Sequence, residues 1–274
     1  MIFVDMAGRK VPALGYGTWA MNGSTCERAV PMAIELGYRH IDTAQVYENE
    51  AEVGRGWVAS GIPRNELFIT TKIARTGNAA AQVAAGLEHS LEKLRTDYVD
   101  LLLIHWPSPS VPVAETLDAM ARLKSAGKIR ALGVSNFTVA HMREAVEGLK
   151  RVVVCNQIEY HLLLAQRAVI GYARKHGVAI TAYCPIARGK LMGNPVVERA
   201  AKKHSRTANQ ICLRWLLEQP GTLAIPKAAS EIHARENISI FDFALDAEDR
   251  RGLDALPGDT RLVSPAWAPK WDAA

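Results

Sequence analysis

The chain has 274 residues, of which 49% are hydrophobic and 22% are charged, and its formal net charge is +5. No apolar stretch approaches the ~18 residues of a membrane span, and no dense run of Lys or Arg favours binding to nucleic acid. These properties argue against a transmembrane or nucleic-acid-binding protein. They leave a globular chain of the length that α/β barrels commonly have, about 250 residues.

The cysteines and the N-terminus bear on the compartment. The first ten residues carry three charges and lack the long apolar segment of a secretory signal. The four cysteines are far apart and form no C-x-x-C pair: Cys26, Cys155, Cys184 and Cys212. We therefore expect a cytoplasmic protein with reduced thiols and without a metal site.

Two short extended segments open the chain, residues 2–5 and 10–13, and they flank Ala7-Gly8. This pattern resembles a β-hairpin, which we expect to close the floor of a barrel. The first strand candidate of the main fold follows directly, at residues 13–17.

A glycine motif in this first strand resembles a nucleotide-binding fingerprint. The run Gly15-Tyr-Gly17-Thr-Trp-Ala20 fits G-x-G-x-x-G/A. In a Rossmann unit the helix begins inside the fingerprint, so that its N-terminus meets the pyrophosphate. Here the first helical spacing begins only near Cys26. We therefore interpret the motif as a glycine-flanked barrel strand.

Eight apolar runs predict strands that are covered on both faces. They lie at residues 13–17, 39–42, 67–71, 99–105, 129–134, 152–158, 179–183 and 222–225. Three of these strands follow a helical pattern and a glycine, which suits a helix end because it reaches positive φ without a Cβ clash. These glycines are Gly37, Gly127 and Gly177.

Helical stripes with spacings of three and four lie between the strands. The clearest stripes are Val83, Leu87, Leu91 and Leu94, then Leu117, Met120 and Leu123, and then Ile211, Trp215 and Leu216. Eight strands that alternate with helices predict an α/β protein, a (β/α)8 TIM barrel formed by one domain over residues 1–274. An open doubly wound sheet is the alternative.

About fifty residues follow the eighth strand. They include a helix signal at Asp246-Ala-Glu-Asp249 and a tail rich in Pro and Trp. We expect this C-terminal extension to lie over the active-site face of the barrel.

Four polar residues end or follow consecutive strands of the predicted barrel. Asp42 closes the second strand and Tyr47 follows it by five residues, while Lys72 and His105 close the third and fourth strands. The carboxyl ends of barrel strands form the rim at which barrel active sites lie. We therefore expect these four side chains to lie close together.

The four residue types suit the reduction of a carbonyl group, which needs a hydride on carbon and a proton on oxygen. A Lys72 ammonium beside Tyr47 would lower the phenol pKa from about 10 and make it a better acid. Asp42 would hold Lys72 and offset its burial. His105 would orient the carbonyl oxygen or, in another protonation state, assist proton transfer.

The chain resembles the aldo-keto reductase family over nearly its whole length, and most of all short bacterial members such as 2,5-diketo-gluconate reductases. The matching segments, in chain order, are Gly15-Tyr-Gly-Thr-Trp19, His40-Ile-Asp-Thr-Ala44 with Tyr47 and Glu50, Thr70-Thr-Lys72, Leu103-Ile-His-Trp-Pro107, Gly133-Val-Ser-Asn-Phe137, Asn156-Gln157, Tyr183-Cys-Pro185 and Ile225-Pro-Lys227. The resemblance implies a (β/α)8 barrel that reduces aldehydes, ketones or diketo-sugar acids with NADPH, and with NADH as a weaker alternative.

The resemblance also implies roles for individual residues. The catalytic tetrad would be Asp42, Tyr47, Lys72 and His105. At the nicotinamide end of the cofactor, three side chains would hydrogen-bond the amide and Tyr183 would stack on the ring; the three are Ser135, Asn136 and Gln157. Residues 225–237 would wrap the adenosine half, with Lys227 on the 2′-phosphate and Glu236 and Asn237 at the adenine. Further cofactor contacts would come from Trp19, Asp42, Pro185, Ile186, Ile225, Ala228, Ser230 and His233. The substrate would contact Trp19, Tyr47, His105, Trp106 and Trp267.

Two departures from the family pattern bear on cofactor choice. The family often has Ser directly after the phosphate-binding lysine and Arg six residues after it, where this chain has Ala228 and His233. Arg offers phosphate a permanent bidentate charge, whereas neutral His offers one hydrogen bond. We therefore expect a weak preference for NADPH over NADH, which tightens below about pH 6.5 as His233 gains a proton.

Three functional hypotheses remain open at this point. The first is the carbonyl reductase, acting as a monomer on a small-molecule substrate without a nucleic-acid or membrane partner. The second is a lyase in which Lys72 forms a Schiff base with its substrate. The third is a binding module that holds the nicotinamide cofactor as a sensor.

Overall fold

The computed structural model describes residues 1–6, 8–150 and 152–273. The strands are β1 (Phe3–Met6), β2 (Arg9–Pro12), β3 (Tyr16–Gly17), β4 (His40–Asp42), β5 (Phe68–Ile73), β6 (Val99–Ile104), β7 (Ile129–Ser135), β8 (Cys155–Glu159), β9 (Ala179–Tyr183) and β10 (Thr222–Ala224). The α-helices are α1 (Gly23–Glu35), α2 (Glu50–Ala59), α3 (Ala80–Leu94), α4 (Val113–Ser125), α5 (Val139–Arg143), α6 (Arg167–Lys175), α7 (Pro195–His204), α8 (Ala208–Leu217), α9 (Glu231–Ile238) and α10 (Ala247–Asp254). No helix in the described ranges is both long and apolar enough to span a membrane.

Strands β3 to β10 form one parallel sheet in which each strand pairs with the next along the chain. The first and last strands also join. Leu14 forms a parallel bridge with Ala224, whose amide donates to the carbonyl of Ala13 at 2.8 Å. The sheet is therefore a closed barrel, and the alternative of an open doubly wound sheet is wrong. The single-domain organisation over residues 1–274 stays a prediction.

The N-terminal hairpin closes the floor of the barrel, as predicted. Strands β1 and β2 pair antiparallel, and Ala7 between them lies outside the described residues. Met6 and Val11 are buried in a cluster that fills the lower end of the barrel. Their partners there include Phe68, Leu101, Ala131, Ala179 and Leu223.

All eight predicted strands are present, and two of them begin three residues later than predicted. The strand predicted at 13–17 becomes regular only at Tyr16, because residues 13–15 bond to the closing strand β10 whereas Tyr16 and Gly17 pair with β4. The strand predicted from residue 152 begins at Cys155, because Val152 lies on the surface with 63% of its area exposed.

The predicted helical features are also confirmed. The stripe of Val83, Leu87, Leu91 and Leu94 is the buried face of α3. The junction glycines Gly37, Gly127 and Gly177 all have positive φ, at 103°, 76° and 67°. Asp246 caps α10 by accepting hydrogen bonds from the amides of Glu248 and Asp249, each at 2.9 Å. Beyond α10, the tail crosses the carboxyl ends of the strands, and it is described as far as residue 273.

Candidate active site

The four predicted residues meet at the carboxyl rim of the barrel. Asp42 ends β4, Lys72 lies near the end of β5, and His105 follows β6. Tyr47 ends a single 3-10 turn, Gln45–Tyr47, that follows β4. The rim was predicted because the carboxyl ends of parallel strands share one edge.

Lys72 joins two of the other three residues. Its Nζ donates to Oδ1 of Asp42, to the carbonyl of Thr43 at 2.8 Å, and to the phenol oxygen of Tyr47 at 3.3 Å. The second carboxylate oxygen of Asp42 accepts a hydrogen bond from Gln157 at 2.7 Å. The ammonium group therefore has an acceptor for each of its three protons.

Lys72 keeps its charge although its side chain is fully buried. Burial alone would lower the pKa of the ammonium, but the charge of Asp42 and the nearby Tyr47 together raise the pKa above its ordinary value. A buried cation next to a buried carboxylate is held in place because either charge alone would be costly to bury. Lys72 thus gives the rim a fixed positive charge.

The direction predicted for the pKa of Tyr47 was wrong. Burial raises the pKa of the phenol, and the Lys72 ammonium opposes this rise without reversing it. The sequence indicates the neighbouring charge but not the depth of burial, which dominates here. Tyr47 is therefore a neutral phenol at physiological pH, with its proton available.

His105 is a neutral imidazole in this site. Burial, and after it the charge of Lys72, holds the pKa of His105 well below its usual range. Its Nδ1 is buried and has no hydrogen-bond partner among the described residues. The ring contacts that of Tyr47 edge-on, with centroids 5.7 Å apart. An imidazolium is therefore not present to act as the proton donor.

The residues expected at the nicotinamide form one network beside the tetrad. Asn136 adopts a left-handed conformation with φ of 62° and donates to the carbonyl of His105 at 3.0 Å. Its Oδ1 accepts the Tyr183 hydroxyl at 2.7 Å, and Ser135 donates to the carbonyl of Gln157 at 2.8 Å. Asn136, Gln157 and Tyr183 line a cavity, whereas Ser135 lies buried behind it.

The cavity has a volume of about 570 Å³ and runs from Tyr47 to Lys227. It brings together most of the predicted site residues: Trp19, Asp42, Tyr47, His105, Trp106, Asn136, Gln157, Tyr183, Pro185, Ile186, Ile225, Lys227 and Trp267. Trp267 reaches it from the tail and packs edge-on against Trp106, with ring centroids 4.9 Å apart.

Six predicted cofactor residues do not line the cavity: Ser135, Ala228, Ser230, His233, Glu236 and Asn237. All but Ser135 belong to the 225–237 segment, which runs from the end of β10 into α9. Two buried tyrosines hold this segment: Tyr16 in β3 and Tyr38 just before β4. The hydroxyl of Tyr16 donates to the carbonyl of Ala228, and that of Tyr38 donates to the carbonyl of Ala234. Neither tyrosine was predicted to have this role.

The glycine motif of the first strand serves packing, as interpreted. A Cβ at Gly17 would lie 2.7 Å from the carbonyl oxygen of Ile225, and a Cβ at Gly15 would lie 2.8 Å from Nδ1 of His40. Real Cβ contacts are not that short, so both positions need glycine where the chain passes the 225–237 segment. The helix α1 begins only at Gly23, past the motif.

The sequence interpretation missed several residues of the cavity wall: Val46, Thr76, Arg75, Cys184, Arg188 and Val263. Arg75 lies three residues past Lys72 at the same strand end. Because the carboxyl ends of barrel strands form the rim at which active sites lie, its position in the sequence could have indicated it. Arg75 lies 4.8 Å from the centre of the Trp267 ring, and Arg188 lies 5.4 Å from that of Trp19. No feature of the sequence could have indicated Val263 as a cavity residue, because nothing in the sequence fixes the path of the tail.

Comparisons with known proteins agree with this geometry. The sequence profile of the Aldo/keto reductase family matches residues 13–257. Methylglyoxal reductase DkgB of Escherichia coli O157:H7 is 42% identical over 266 residues, which cover 96% of this chain and 99% of that protein. Glyoxal reductase of Bacillus subtilis is 41% identical over 256 residues, covering 93% and 92% of the two chains.

Solved structures agree as well. A candidate 2,5-diketo-D-gluconic acid reductase B superposes with a TM-score of 0.95 at 42% identity, covering 99% of this chain and 97% of that one. The aldose reductase of Schistosoma japonicum superposes with a TM-score of 0.89 at 32% identity, covering 93% and 91%. The expected resemblance to bacterial diketo-gluconate reductases is thereby confirmed.

Proposed function

Because the chain belongs to the aldo/keto reductase family, it is an oxidoreductase that reduces carbonyl groups, and we propose that it uses NADPH and protonates the carbonyl oxygen from Tyr47. One observation carries the proposal. A buried Lys72 donates both to Asp42 and to the Tyr47 phenol, at the wall of a cavity that His105 also lines.

Tyr47 serves as the acid because it is neutral and its conjugate base is stabilised. Its raised pKa keeps the proton on the phenol until a carbonyl oxygen begins to gain electrons. As the proton leaves, negative charge grows on an oxygen that lies 3.3 Å from the Lys72 ammonium. Lys72 therefore stabilises the developing phenolate and limits the rise in the phenol pKa that burial causes, and Asp42 keeps the ammonium in place.

His105 positions the carbonyl rather than protonating it. A neutral imidazole carries one N–H, which can donate a hydrogen bond to the carbonyl oxygen at the cavity wall. The ring contact with Tyr47 keeps both groups on the same side of the cavity. The carbonyl oxygen would thus be held between the phenol of Tyr47 and the imidazole of His105.

The family generally uses NADP(H), and the residues present fit this cofactor. Polar amides and the Tyr183 ring line the cavity beside the tetrad, where Asn136 and Gln157 would hold the nicotinamide amide and Tyr183 its ring. Lys227, at the far end, is an exposed cation that would meet the 2′-phosphate. When bound, NADPH supplies the hydride. Ser135 would act from behind the wall, through the backbone of Gln157.

The cavity wall also bears on the substrate. Trp19, Trp106 and Trp267 offer apolar faces, and Arg75 and Arg188 add cationic groups for which no ion pair is found in the described ranges. A carbonyl compound with a carboxylate, such as a diketo-sugar acid, would find both a proton donor and a cation in one cavity. We therefore propose that anionic carbonyl compounds are preferred to neutral ones of equal size.

The two other hypotheses fit the site less well. A Schiff base needs a neutral, accessible amine, whereas Lys72 is buried, charged and committed to three acceptors. A sensor needs only cofactor binding, and it would not need the hydrogen bond between Lys72 and Tyr47. The free cysteines agree with the proposed cytoplasmic location, and a monomer remains our proposal for the oligomeric state.

The test is turnover followed at the NADPH absorbance band, with methylglyoxal and a diketo-sugar acid as substrates and with NADH run in parallel. We expect steady oxidation of NADPH with both carbonyls. Binding of NADPH without oxidation by any carbonyl would instead support the sensor. Trapping of a carbonyl on Lys72 by borohydride would support the lyase.

A further inference from the structure

We propose that Glu159 is a positioning residue that fixes the C-terminal tail on the barrel rim and so builds the tail's wall of the substrate cavity. Glu159 is the last residue of β8, and its side chain is fully buried. It does not line the cavity, and no step of the proposed reaction uses it. The inference rests on the proposed function for its kinetic readout alone.

Both carboxylate oxygens of Glu159 receive backbone amides of the tail. Oε1 accepts the amide of Leu262 at 2.6 Å, and Oε2 accepts the amide of Val263 at 2.8 Å. The imidazole Nε2 of the equally buried His161 lies 2.9 Å from Oε1. Hydrogen bonds to an ionised acceptor are about twice as strong as neutral ones, so this contact fixes two successive residues of the tail.

The surrounding contacts set the register of the tail. The amide of Thr260 donates to the carbonyl of Leu163 at 2.7 Å, and the amide of Ala165 donates to that of Gly258 at 2.9 Å. Residues 258–263 therefore lie along the loop that follows β8. The carboxylate of Glu159 holds the last two residues of this stretch, directly where the tail turns toward the cavity.

The wall of the cavity begins at that point. Val263 itself lines the cavity, and Trp267 lines it four residues further on. Trp267 packs against Trp106, and the guanidinium of Arg75 lies over its ring. A tail released at Leu262 and Val263 would lose the fixed start from which Trp267 reaches the substrate.

The chemistry of the contact requires a carboxylate. Two neighbouring amides point at one side chain, and a carboxylate offers one acceptor oxygen to each. A glutamine offers one oxygen, and its NH2 group would face the second amide as a like donor. Glu159→Gln therefore keeps the size of the side chain and removes one of the two tail contacts, leaving one of the two tail amides without its acceptor.

The kinetic consequence depends on the size of the substrate. A small carbonyl compound held by Tyr47 and His105 does not need contacts with the tail to bind. A bulky aromatic one contacts Trp267, in the tail's wall of the cavity. For Glu159→Gln we expect the KM for phenylglyoxal to rise about tenfold, as loss of one charged hydrogen bond allows. We expect the KM for methylglyoxal, kcat for both substrates and the Kd for NADPH to stay within about twofold.

Asp100→Asn is the matched control. Asp100 is a buried carboxylate at the opposite end of the barrel, where it accepts the amide of Ile69 at 3.0 Å and pairs with Arg9 and Arg64. Its neutralisation disturbs the barrel to a similar degree without touching the tail, so the KM ratio of the two substrates should not change. An equal rise in both KM values in Glu159→Gln, or the same selective rise in Asp100→Asn, would overturn the proposal.

Hydrogen exchange measured by NMR tests the contact without any variant and without turnover. In the wild-type protein, the amides of Leu262 and Val263 should exchange about tenfold or more slowly than those of residues 266 and 270 further along the tail. Exchange of all four at one fast rate would contradict the proposal even if the enzyme reduces carbonyls. Protected amides without carbonyl reduction would instead leave the tail contact standing and refute the proposed function.

Discussion

The catalytic rim and the 225–237 segment hold charge in opposite ways. At the rim, Lys72 and Asp42 are buried and joined by a hydrogen bond, and Thr43, Tyr47 and Gln157 complete the hydrogen bonds of the pair. In the 225–237 segment, Lys227 and His233 are exposed, and the shortest distance from either of them to a carboxylate found among the described residues is 3.6 Å, between His233 and Glu236. A buried pair cannot rearrange without a large cost, whereas an exposed cation can adapt to a ligand.

This difference indicates that the two regions have separate roles, one in the reaction rate and the other in the choice of ligand. Changes at the rim should alter the rate for every carbonyl, because the groups there act on the bond that reacts. Changes in the loops should alter only the choice among ligands, because each loop contributes single contacts that the ligand itself completes.

The largest effect is expected at Tyr47. Tyr47→Phe keeps the ring contact with His105 but removes the proton, so kcat should fall by about a thousandfold, the midrange of general-acid contributions. The Kd for NADPH, measured by quenching of protein fluorescence, should change by less than about twofold, because the phenol is not expected to hold the cofactor. Turnover of aldehyde at the parent rate would remove Tyr47 as the acid.

Lys227 is the corresponding test in the 225–237 segment. Lys227→Met should weaken NADPH about thirtyfold to a hundredfold, because a charged partner of the 2′-phosphate is lost, and should leave NADH within about threefold. The control is Lys175→Met, since Lys175 is an exposed lysine at the end of α6, outside the cavity. Equal weakening of both cofactors would show that Lys227 does not recognise the 2′-phosphate.

The pH dependence of reduction follows from the raised pKa of Tyr47. Reduction needs the protonated phenol, and a raised pKa keeps the proton on to higher pH, so kcat should be level through neutral pH. Above the pKa of the phenol, which lies above its ordinary value of about 10, kcat should fall about tenfold per pH unit. A decline in kcat that begins near pH 7 to 8 would mean that the Lys72 ammonium lowers the pKa of Tyr47 below its ordinary value, as the sequence alone predicted.

The parts of the site that were predictable from the sequence are those attached to strand ends. Asp42, Lys72 and His105 close apolar runs, and parallel strands bring such ends to one rim whatever the loops do. Burial is a property of the packed molecule, which is why the direction of the Tyr47 pKa was wrong. Arg75 was missed although it follows the same strand as Lys72, because a charged residue in a short turn is usually solvated.

The C-terminal tail is the part of the site that the sequence predicts least. Trp267 was expected to contact the substrate only from the resemblance, and the structure places it in the wall of the cavity beside Tyr47 and His105. Glu159, the residue that we propose to secure the position of Trp267, is the last residue of β8. It accepts hydrogen bonds from the backbone amides of Leu262 and Val263, about a hundred residues later in the chain. Backbone amides carry no sequence signal, so this contact could not be predicted from residue types.

Arg75 tests whether the cavity wall selects charge. Arg75→Met should raise the KM for a diketo-sugar acid about fivefold, because a half-buried ion pair contributes about 1 kcal/mol. The KM for methylglyoxal, which carries no charge, should not change. Arg122→Met on the outer face of α4 is the control, and a KM change of equal size for both substrates would mean that Arg75 does not act through the charge of the carboxylate.

The smallest effect is expected at His233, which the resemblance places at the 2′-phosphate. His233→Ala removes one hydrogen-bond donor that this phosphate could use, so the preference for NADPH over NADH should fall by about threefold, as loss of one exposed hydrogen bond allows. The ratio of kcat/KM for the two cofactors measures this preference. An unchanged ratio in His233→Ala would mean that His233 does not reach the phosphate.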